Sequence, residues 1–272
     1  MSVHSSQTQK ITTVRIQQMA DNGEKISMIT AYDYTMASLI DQSGMDIILV
    51  GDSASNVMQG NSTTLPITVD EMIVYGKTVV KACQHCMVGI DMPFGSYQSD
   101  VYSGINNAVR MIKETGADYL KLEGGRDIIE TIRGIINAGI PVMGHLGLTP
   151  QSVNKFGGYG LRAKDEAEAE QLMENARLLE SVGCFSLVLE KIPSALAERV
   201  ADELRIPVIG IGAGSHVDGQ VLVLQDMLGM NNGFKPKFLR IYANIGEQII
   251  EALNHYSADV KASNFPNETE SY

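Results

Sequence analysis

The sequence is short of positive charge. Lys and Arg number 21 against 32 Asp and Glu, a formal net charge of −11. Such a surface repels phosphate backbones, so nucleic acid is not an expected partner. An anionic substrate would have to meet a local positive centre, either a metal or a few lysines. Charge of both signs is sparse, at 19 % of residues where roughly 25 % is usual. With 44 % of residues hydrophobic, most segments are packed rather than solvated. Cysteines are few (Cys83, Cys86, Cys184), and an odd number without a framework fits a reducing compartment. Residues 1–10 are polar and lack the apolar core of a signal peptide. No apolar run approaches the ~20 residues of a membrane helix. The expectation is a cytoplasmic protein with no membrane partner.

What is present is an alternation. Short apolar runs at 26–32, 47–50, 87–90, 118–122, 142–146, 185–189 and 207–211 read as strands. Longer amphipathic stretches at 34–43, 69–83, 103–115, 127–137, 165–182 and 194–204 read as the helices between them. The strand runs are apolar almost throughout, as strands covered on both faces are. Residues 221–225 are the candidate eighth strand, with a helix running through them as the alternative. Seven clear units and this eighth favour one closed (β/α)8 TIM barrel, spanning 1–272 as a single domain, over a doubly wound open sheet. A leading helix is expected at 9–20, from Ile11, Val14, Ile16 and Met19. A final helix is expected over 236–256, where Phe238, Ile241, Ile245, Ile249 and Leu253 stand at helical spacing. The polar, acidic tail at 257–272 is expected to fray.

In a (β/α)8 barrel the catalytic groups stand where strands end. Asp33 follows the first run and Asp52 the second. Asp91 ends the third, Lys121 and Glu123 the fourth, His145 the fifth and Glu190 the sixth. Lys121 and Glu123 are two apart, so a strand points both to one face. If that face is the interior, they lie beside Asp52 and Asp91. Three carboxylates there repel one another unless a cation neutralises them. A hard oxygen site with open positions suits Mg²⁺, and Lys121 would hold an anionic substrate beside it. Asp33 has a plainer reading as a helix N-cap. The run Gly210-Ile211-Gly212-Ala213-Gly214 either binds phosphate or allows close backbone approach, and its spacing does not fit the dinucleotide fingerprint. Cys83-Gln84-His85-Cys86 is a lone CxxC on the opposite, stability face. It reads as inert thiols rather than as zinc, which takes four ligands. His216 reads as a helix cap, and His4 and His255 as surface residues.

Several longer motifs occur in order: VGDS at 50–53, DMPF at 91–94, KLEGG at 121–125, GHLGLTPQS at 144–152, FGGY at 156–159, LE at 189–190 and GIGAG at 210–214. From about residue 26 to 242 the chain resembles the ketopantoate hydroxymethyltransferase family. The GHLGLTPQS run is the specific part of that resemblance. It implies a barrel of the phosphoenolpyruvate/pyruvate-type superfamily and a homo-oligomer, commonly a decamer. It implies transfer of a hydroxymethyl group from 5,10-methylenetetrahydrofolate to 3-methyl-2-oxobutanoate, giving 2-dehydropantoate for pantothenate synthesis, through a Mg²⁺-stabilised enolate. Asp52 and Asp91 match the family's metal ligands, with Glu123 bound directly or one shell out. Ser53 and Lys121 match substrate contacts, and His145 lines the same pocket. Glu190 matches the catalytic base, a role that a desolvated carboxylate performs better than a hydrated one. One stretch departs from the family pattern: Ala54-Ser55-Asn56 and Asn61-Ser62-Thr63 stand where other residues are usual. Three alternatives remain. One is a Mg²⁺-dependent carbon–carbon lyase or mutase of the phosphonopyruvate/isocitrate lyase type, although the loop 147–163 has no cysteine to serve a lyase. The others are a Schiff-base aldolase on Lys121 and a ligand-binding barrel without activity.

Overall fold

Alternate residues of each apolar run face one way, and the pairing registers carry that alternation from strand to strand. A computed structural model describes residues 9–231, 233 and 235–272; His4 lies outside the described residues. The strands are β1 (Ile26–Thr30), β2 (Ile47–Val50), β3 (Met87–Asp91), β4 (Tyr119–Glu123), β5 (Val142–Gly147), β6 (Ser186–Glu190), β7 (Val208–Ile211) and β8 (Gly219–Leu222). Each pairs in parallel with the next, and β8 pairs with β1, closing the barrel. Helices intervene between most strands, which is why the strands are buried along nearly their whole length.

The interior shows why the charged residues gather at one end. Met28, Leu49, Met87, Tyr119, Met143, Val188, Ile209 and Val221 form one buried apolar cluster. Ile16 and Met19, on the helix Thr13–Asp21, join it. Two residues further along the same faces come Lys121, His145 and Glu190, with Asp91 four beyond Met87 and Glu123 two beyond Lys121. One periodicity therefore supplies an apolar floor and a polar mouth. Gly89 stands opposite Tyr119 in the register. A Cβ there would lie 2.0 Å from Tyr119 Cζ, so the missing side chain is what lets the ring pack beneath Asp91.

Local capping fixes the helices. Asp33 accepts from the Met36 N–H at 2.9 Å and is the N-cap of helix Tyr34–Asp41. That is the plainer of its two readings. Thr68 and Glu71 form a capping box on helix Val69–Ala82. Asp100 and Asp165 cap the helices Val101–Thr115 and Glu166–Ser181.

Three expectations need correction. The eighth strand is 219–222, not 221–225: it begins on Gly219, where a Cβ would lie 2.5 Å from the Ile26 carbonyl oxygen, and Leu224–Met227 is already helical. Glycine weakens strands in general, so its use as a point of close approach was hidden. The sequence shows no domain boundary, yet the chain divides into two compact units, residues 1–222 and 223–272. The barrel closes at β8, and among the described residues no later segment adds a strand to it. Within the second unit the long helix is Ile245–Lys261 and does not reach back to 236. There the Tyr242 and Ile245 N–H groups donate to the carbonyls of Met227 and Leu228, which draws 236–244 out of helical pairing. Among the described residues, no helix is long and apolar enough to cross a membrane.

The CxxC segment is held by a carboxylate. Asp41 accepts from the N–H groups of Gln84, His85 and Cys86 at 2.8, 3.0 and 2.8 Å, and lies 3.1 Å from His85 Nδ1. Burial alone would push its carboxyl up; the three N–H groups outweigh burial and hold it at about 2, against an ordinary value of 3.8. Burial pushes the Cys83 and Cys184 thiols up to about 12, and Cys86 also upward, which leaves all three protonated. A carboxyl depressed in the folded state stabilises above its unfolded value, and the contribution is lost as pH falls through its folded value. Asp41→Asn should therefore destabilise the protein by about 2 kcal/mol at neutral pH. In urea titrations the gap to wild type should close between about pH 4 and pH 2. A gap that stays constant with pH would show that the Asp41 charge is not what ties this segment.

Candidate active site

The mouth of the barrel carries a continuous chain of charged contacts. Asp91 ends β3, and its Oδ1 lies 2.6 Å from Lys121 Nζ on β4. Lys121 Nζ stands 4.0 Å from Glu123 Oε1 and 3.4 Å from His145 Nδ1 on β5. His145 Nδ1 lies 3.3 Å from Glu123 Oε1, while Nε2 lies 3.4 Å from Glu190 Oε2 on β6. Asp52, just beyond β2, joins through its backbone N–H, which donates to Asp91 Oδ2 at 3.0 Å. The side chains of Asp91, Lys121, Glu123 and His145 are only 3–5 % exposed, whereas Glu190 is 18 % exposed. Glu190 is thus the carboxylate at the open edge.

The charges do not balance. Asp52, Asp91, Glu123 and Glu190 face one lysine and one histidine, so even a protonated His145 leaves two carboxylates uncompensated. Burial raises Asp52, and the nearby Glu123 and Asp91 raise it further; Lys121 and Gln151 offset only part, so it stays well above the ordinary range. Burial also raises Asp91, against the opposing pull of Lys121. Glu123 goes the other way: burial would raise it, but His145 and Lys121 hold it low. For His145, burial and Lys121 push downward, and the flanking Glu123 and Glu190 outweigh them and bring it to about 9. Lys121 is driven down by burial, yet Asp91, Glu123 and Asp52 carry it above its ordinary value, so its amine stays protonated.

A second layer of polar residues holds the first. Tyr97, on the loop after β3, accepts from the Glu123 N–H at 3.0 Å. Gln151, on the loop after β5, donates from its backbone N–H to Glu123 Oε2 at 3.0 Å and from Nε2 to Asp52 Oδ2 at 2.9 Å. Tyr32, beyond β1, shares a 2.7 Å hydrogen bond with Ser53 Oγ. Burial pushes the Tyr32 phenol up, so it remains protonated and able to donate. A Cβ at Gly51 would stand 2.7 Å from Ser53 Oγ and 3.6 Å from Asp91 Oδ2, so Ser53 belongs to the same wall. The loop after β5 is latched to the end of β6. Leu148 N–H donates to the Glu190 carbonyl at 2.8 Å, Arg162 N–H to the Lys191 carbonyl at 3.0 Å, and Lys191 Nζ to the Tyr159 carbonyl. Gly147, at φ 92, permits this: a Cβ there would lie 2.3 Å from the Glu190 carbonyl oxygen. A cleft of about 510 Å³ opens beside Glu123 and Gln151, walled in part by Phe94, Lys155, Phe156 and Arg162.

The structure brings Asp52, Ser53, Asp91, Lys121, Glu123, His145 and Glu190 to one mouth and sends Asp33 to a helix cap. The GIGAG run serves close approach at Gly214, whose Cβ position is 2.5 Å from Ser194 Cβ. The residues of the unusual 54–63 stretch bond to one another. Ser55 Oγ donates to the Thr63 carbonyl at 2.8 Å, Asn56 Nδ2 to the Asn61 carbonyl at 2.9 Å, and Asn61 Nδ2 to Ser55 Oγ at 3.2 Å. Sequence reasoning missed Tyr32, Tyr97 and Gln151. Gln151 lies inside the GHLGLTPQS run, but a neutral side chain on a loop gives no electrostatic signal.

Comparison with known proteins agrees with this geometry. Residues 10–268 match the family described as ketopantoate hydroxymethyltransferase. A Bacteroides fragilis protein named 3-methyl-2-oxobutanoate hydroxymethyltransferase is 63 % identical over 268 residues, 98 % of each chain. Among solved structures, phosphonopyruvate hydrolase in complex with oxalate and Mg²⁺ superposes with a TM-score of 0.61 at 10 % identity, covering 96 % of this chain and 93 % of the other. The 2,3-dimethylmalate lyase of the PEP mutase/isocitrate lyase superfamily superposes at 0.58 with 13 % identity, covering 94 % and 89 %. These two share the barrel; the sequence match is to the transferases. The chain belongs to the ketopantoate hydroxymethyltransferase family.

Proposed function

We propose that this protein transfers a hydroxymethyl group from 5,10-methylenetetrahydrofolate to 3-methyl-2-oxobutanoate, forming 2-dehydropantoate, with Mg²⁺ as cofactor. The observation that carries the reading is the unbroken contact chain Asp91–Lys121–Glu123–His145–Glu190 at one barrel mouth, with more carboxylates than cations. Among the described residues no three His, Cys, Asp or Glu side chains close on one point as a ready-made metal cage. Mg²⁺ does not need one, because it is commonly held by one or two carboxylates while substrate and water complete its shell. Asp52 and Asp91 are the two ligands proposed, with Glu123 close behind. Asp91 fits the role: it is buried at the end of β3, and its Oδ2 accepts from the Asp52 N–H, which sets the two carboxylates side by side. When bound, the metal would withdraw charge from the keto and carboxylate oxygens of a 2-oxo acid and so acidify the carbon beside the ketone.

The chain's own groups have the remaining tasks. Lys121, protonated and fixed by Asp91, offers a positive charge to the substrate carboxylate, with Ser53 beside it. Glu190, the most exposed carboxylate of the set, takes the proton from the carbon next to the ketone. His145 Nε2 stands 3.4 Å from Glu190 Oε2 and orients that carboxylate. The 510 Å³ cleft beside Glu123 is within the usual size range of small-molecule sites and gives a second substrate room. A protonated Lys121 is a poor nucleophile, which disfavours the Schiff-base reading. A homo-oligomer, a decamer by family resemblance, and a cytoplasmic location belong to the same proposal.

Three outcomes test it. Purified protein given 3-methyl-2-oxobutanoate and methylenetetrahydrofolate should form 2-dehydropantoate, stop with EDTA and recover with Mg²⁺; no product with Mg²⁺ present would refute the reading. Asp52→Ala and Asp91→Ala should each weaken Mg²⁺ binding by roughly tenfold or more in calorimetry, and unchanged affinity would remove that residue from the ligand set. Glu190→Gln should abolish exchange of the substrate's α-proton with solvent, followed by NMR in D₂O, while leaving Mg²⁺ affinity near wild type. Wild-type exchange in that variant would exclude Glu190 as the base.

A further inference from the structure

One residue touches two of the buried carboxylates at once, Glu123 through its backbone N–H and Asp52 through its side chain. Gln151 comes from the loop after β5, yet it reaches Asp52 beyond β2 and Glu123 at the end of β4. It is 6 % exposed, and its carboxamide is fully used. Nε2 donates to Asp52 Oδ2 at 2.9 Å and to the Met92 carbonyl at 3.0 Å. Oε1 accepts from Tyr97 OH at 2.8 Å and from Gln98 Nε2 at 2.9 Å.

The surroundings allow only one orientation of that amide. Gln98 Oε1 accepts from the Gly95 N–H at 2.8 Å, so the Gln98 NH₂ must face Gln151. On the other side stand a carboxylate and a carbonyl, both acceptors. Turning the amide over would set oxygen against oxygen at two contacts and nitrogen against nitrogen at a third. Tyr97 fixes the next position. It is fully buried, accepts from the Glu123 N–H at 3.0 Å, and its single proton goes to the nearer acceptor, Gln151 Oε1. The Glu123 backbone, Tyr97, Gln151 and Asp52 thus form one hydrogen-bonded chain. Its polarity runs toward the carboxylate and leaves the other oxygen of Asp52 available.

We infer that Gln151 and Tyr97 are positioning residues that fix the Asp52 carboxylate and dictate which of its oxygens faces the site. The inference rests on the carboxylate–metal reading above. Without the amide, Asp52 loses its side-chain donor, while the backbone N–H to Glu123 remains. Residues that orient metal ligands in this way typically contribute 10–100-fold to affinity or rate.

The test uses Gln151→Met, which keeps the volume and the backbone N–H to Glu123, and Tyr97→Phe, which removes one oxygen. Mn²⁺ affinity is measured by electron paramagnetic resonance without substrate, and kcat and KM for the 2-oxo acid separately. Each variant should lose roughly 10–100-fold in Mn²⁺ affinity, with kcat falling more than KM rises. The double variant should be no worse than Gln151→Met, because the two act through one chain. Gln151→Glu has the native shape but no NH₂ to donate, and should fail to rescue. Mn²⁺ affinity and kcat within about twofold of wild type in Gln151→Met, or in Tyr97→Phe where the former does not fold, overturns the inference. A wild type that binds Mn²⁺ but makes no product refutes the proposed reaction and leaves this measurement intact. If the wild type binds no Mn²⁺, crystal structures decide: a displaced Asp52 carboxylate in Gln151→Met supports the inference, and an unmoved one overturns it.

Discussion

Burying several carboxylates side by side is the constraint on which this structure turns. A lone ionised carboxylate withdrawn from water is strongly disfavoured, and neighbours of like charge add to the penalty. Here the answer is contact. Lys121 sits between Asp91 and Glu123, and His145 between Glu123 and Glu190, at 2.6–4.0 Å. The compensation remains partial, which is visible in the upward push on Asp52 and the opposite behaviour of Glu123. A site left with excess negative charge favours additional positive charge beside it.

The closed parallel barrel is what makes that density of charge possible. Side chains alternate in and out with period 2, and the eight registers bring successive inward positions into rings. The lower positions carry Met, Val, Ile, Leu and Tyr; positions two or four residues further on carry Asp91, Lys121, Glu123, His145 and Glu190. Gly89 lets the Tyr119 ring lie between these regions. The apolar part supplies the packing that secures the strands, and the strands in turn hold the charged side chains in place. Loops then add what strands cannot. Gln151 and Tyr97 come from different βα connections; Gln151 bonds the Asp52 and Glu123 carboxylates, and Tyr97 bonds Gln151 and the Glu123 backbone.

The likeness to barrels at 10 and 13 % identity follows from the same physics. Closure asks for a pattern of apolar alternation and strand lengths, not for particular residues, so very different sequences satisfy it. Chemistry asks for particular side chains at strand ends. That is why the match at 63 % identity along nearly the whole chain places the protein in its family, while the structural neighbours give its architecture alone.

Periodicity and the position of charge relative to each apolar run were enough to read seven strands, the barrel and the six charged residues of the mouth from the sequence; Ser53 came only through the family resemblance. These are local properties: a spacing of two sets the face, and the end of an apolar run marks the end of a strand. Three features were illegible. Gly219 begins a strand because Ile26 and Ile209 crowd it, a fact about neighbours distant in sequence. The stretch at 236–244 is held off the helix by hydrogen bonds to residues 227 and 228. Gln151 bonds to Asp52 across 99 positions of chain, and nothing in its neutral side chain announces this. The sequence alone determined which residues carry charge and which way their strands turn them. Only the tertiary structure decided which of them touch, because contact distance and hydrogen-bond direction depend on how distant segments close the barrel, and those are properties of no single segment.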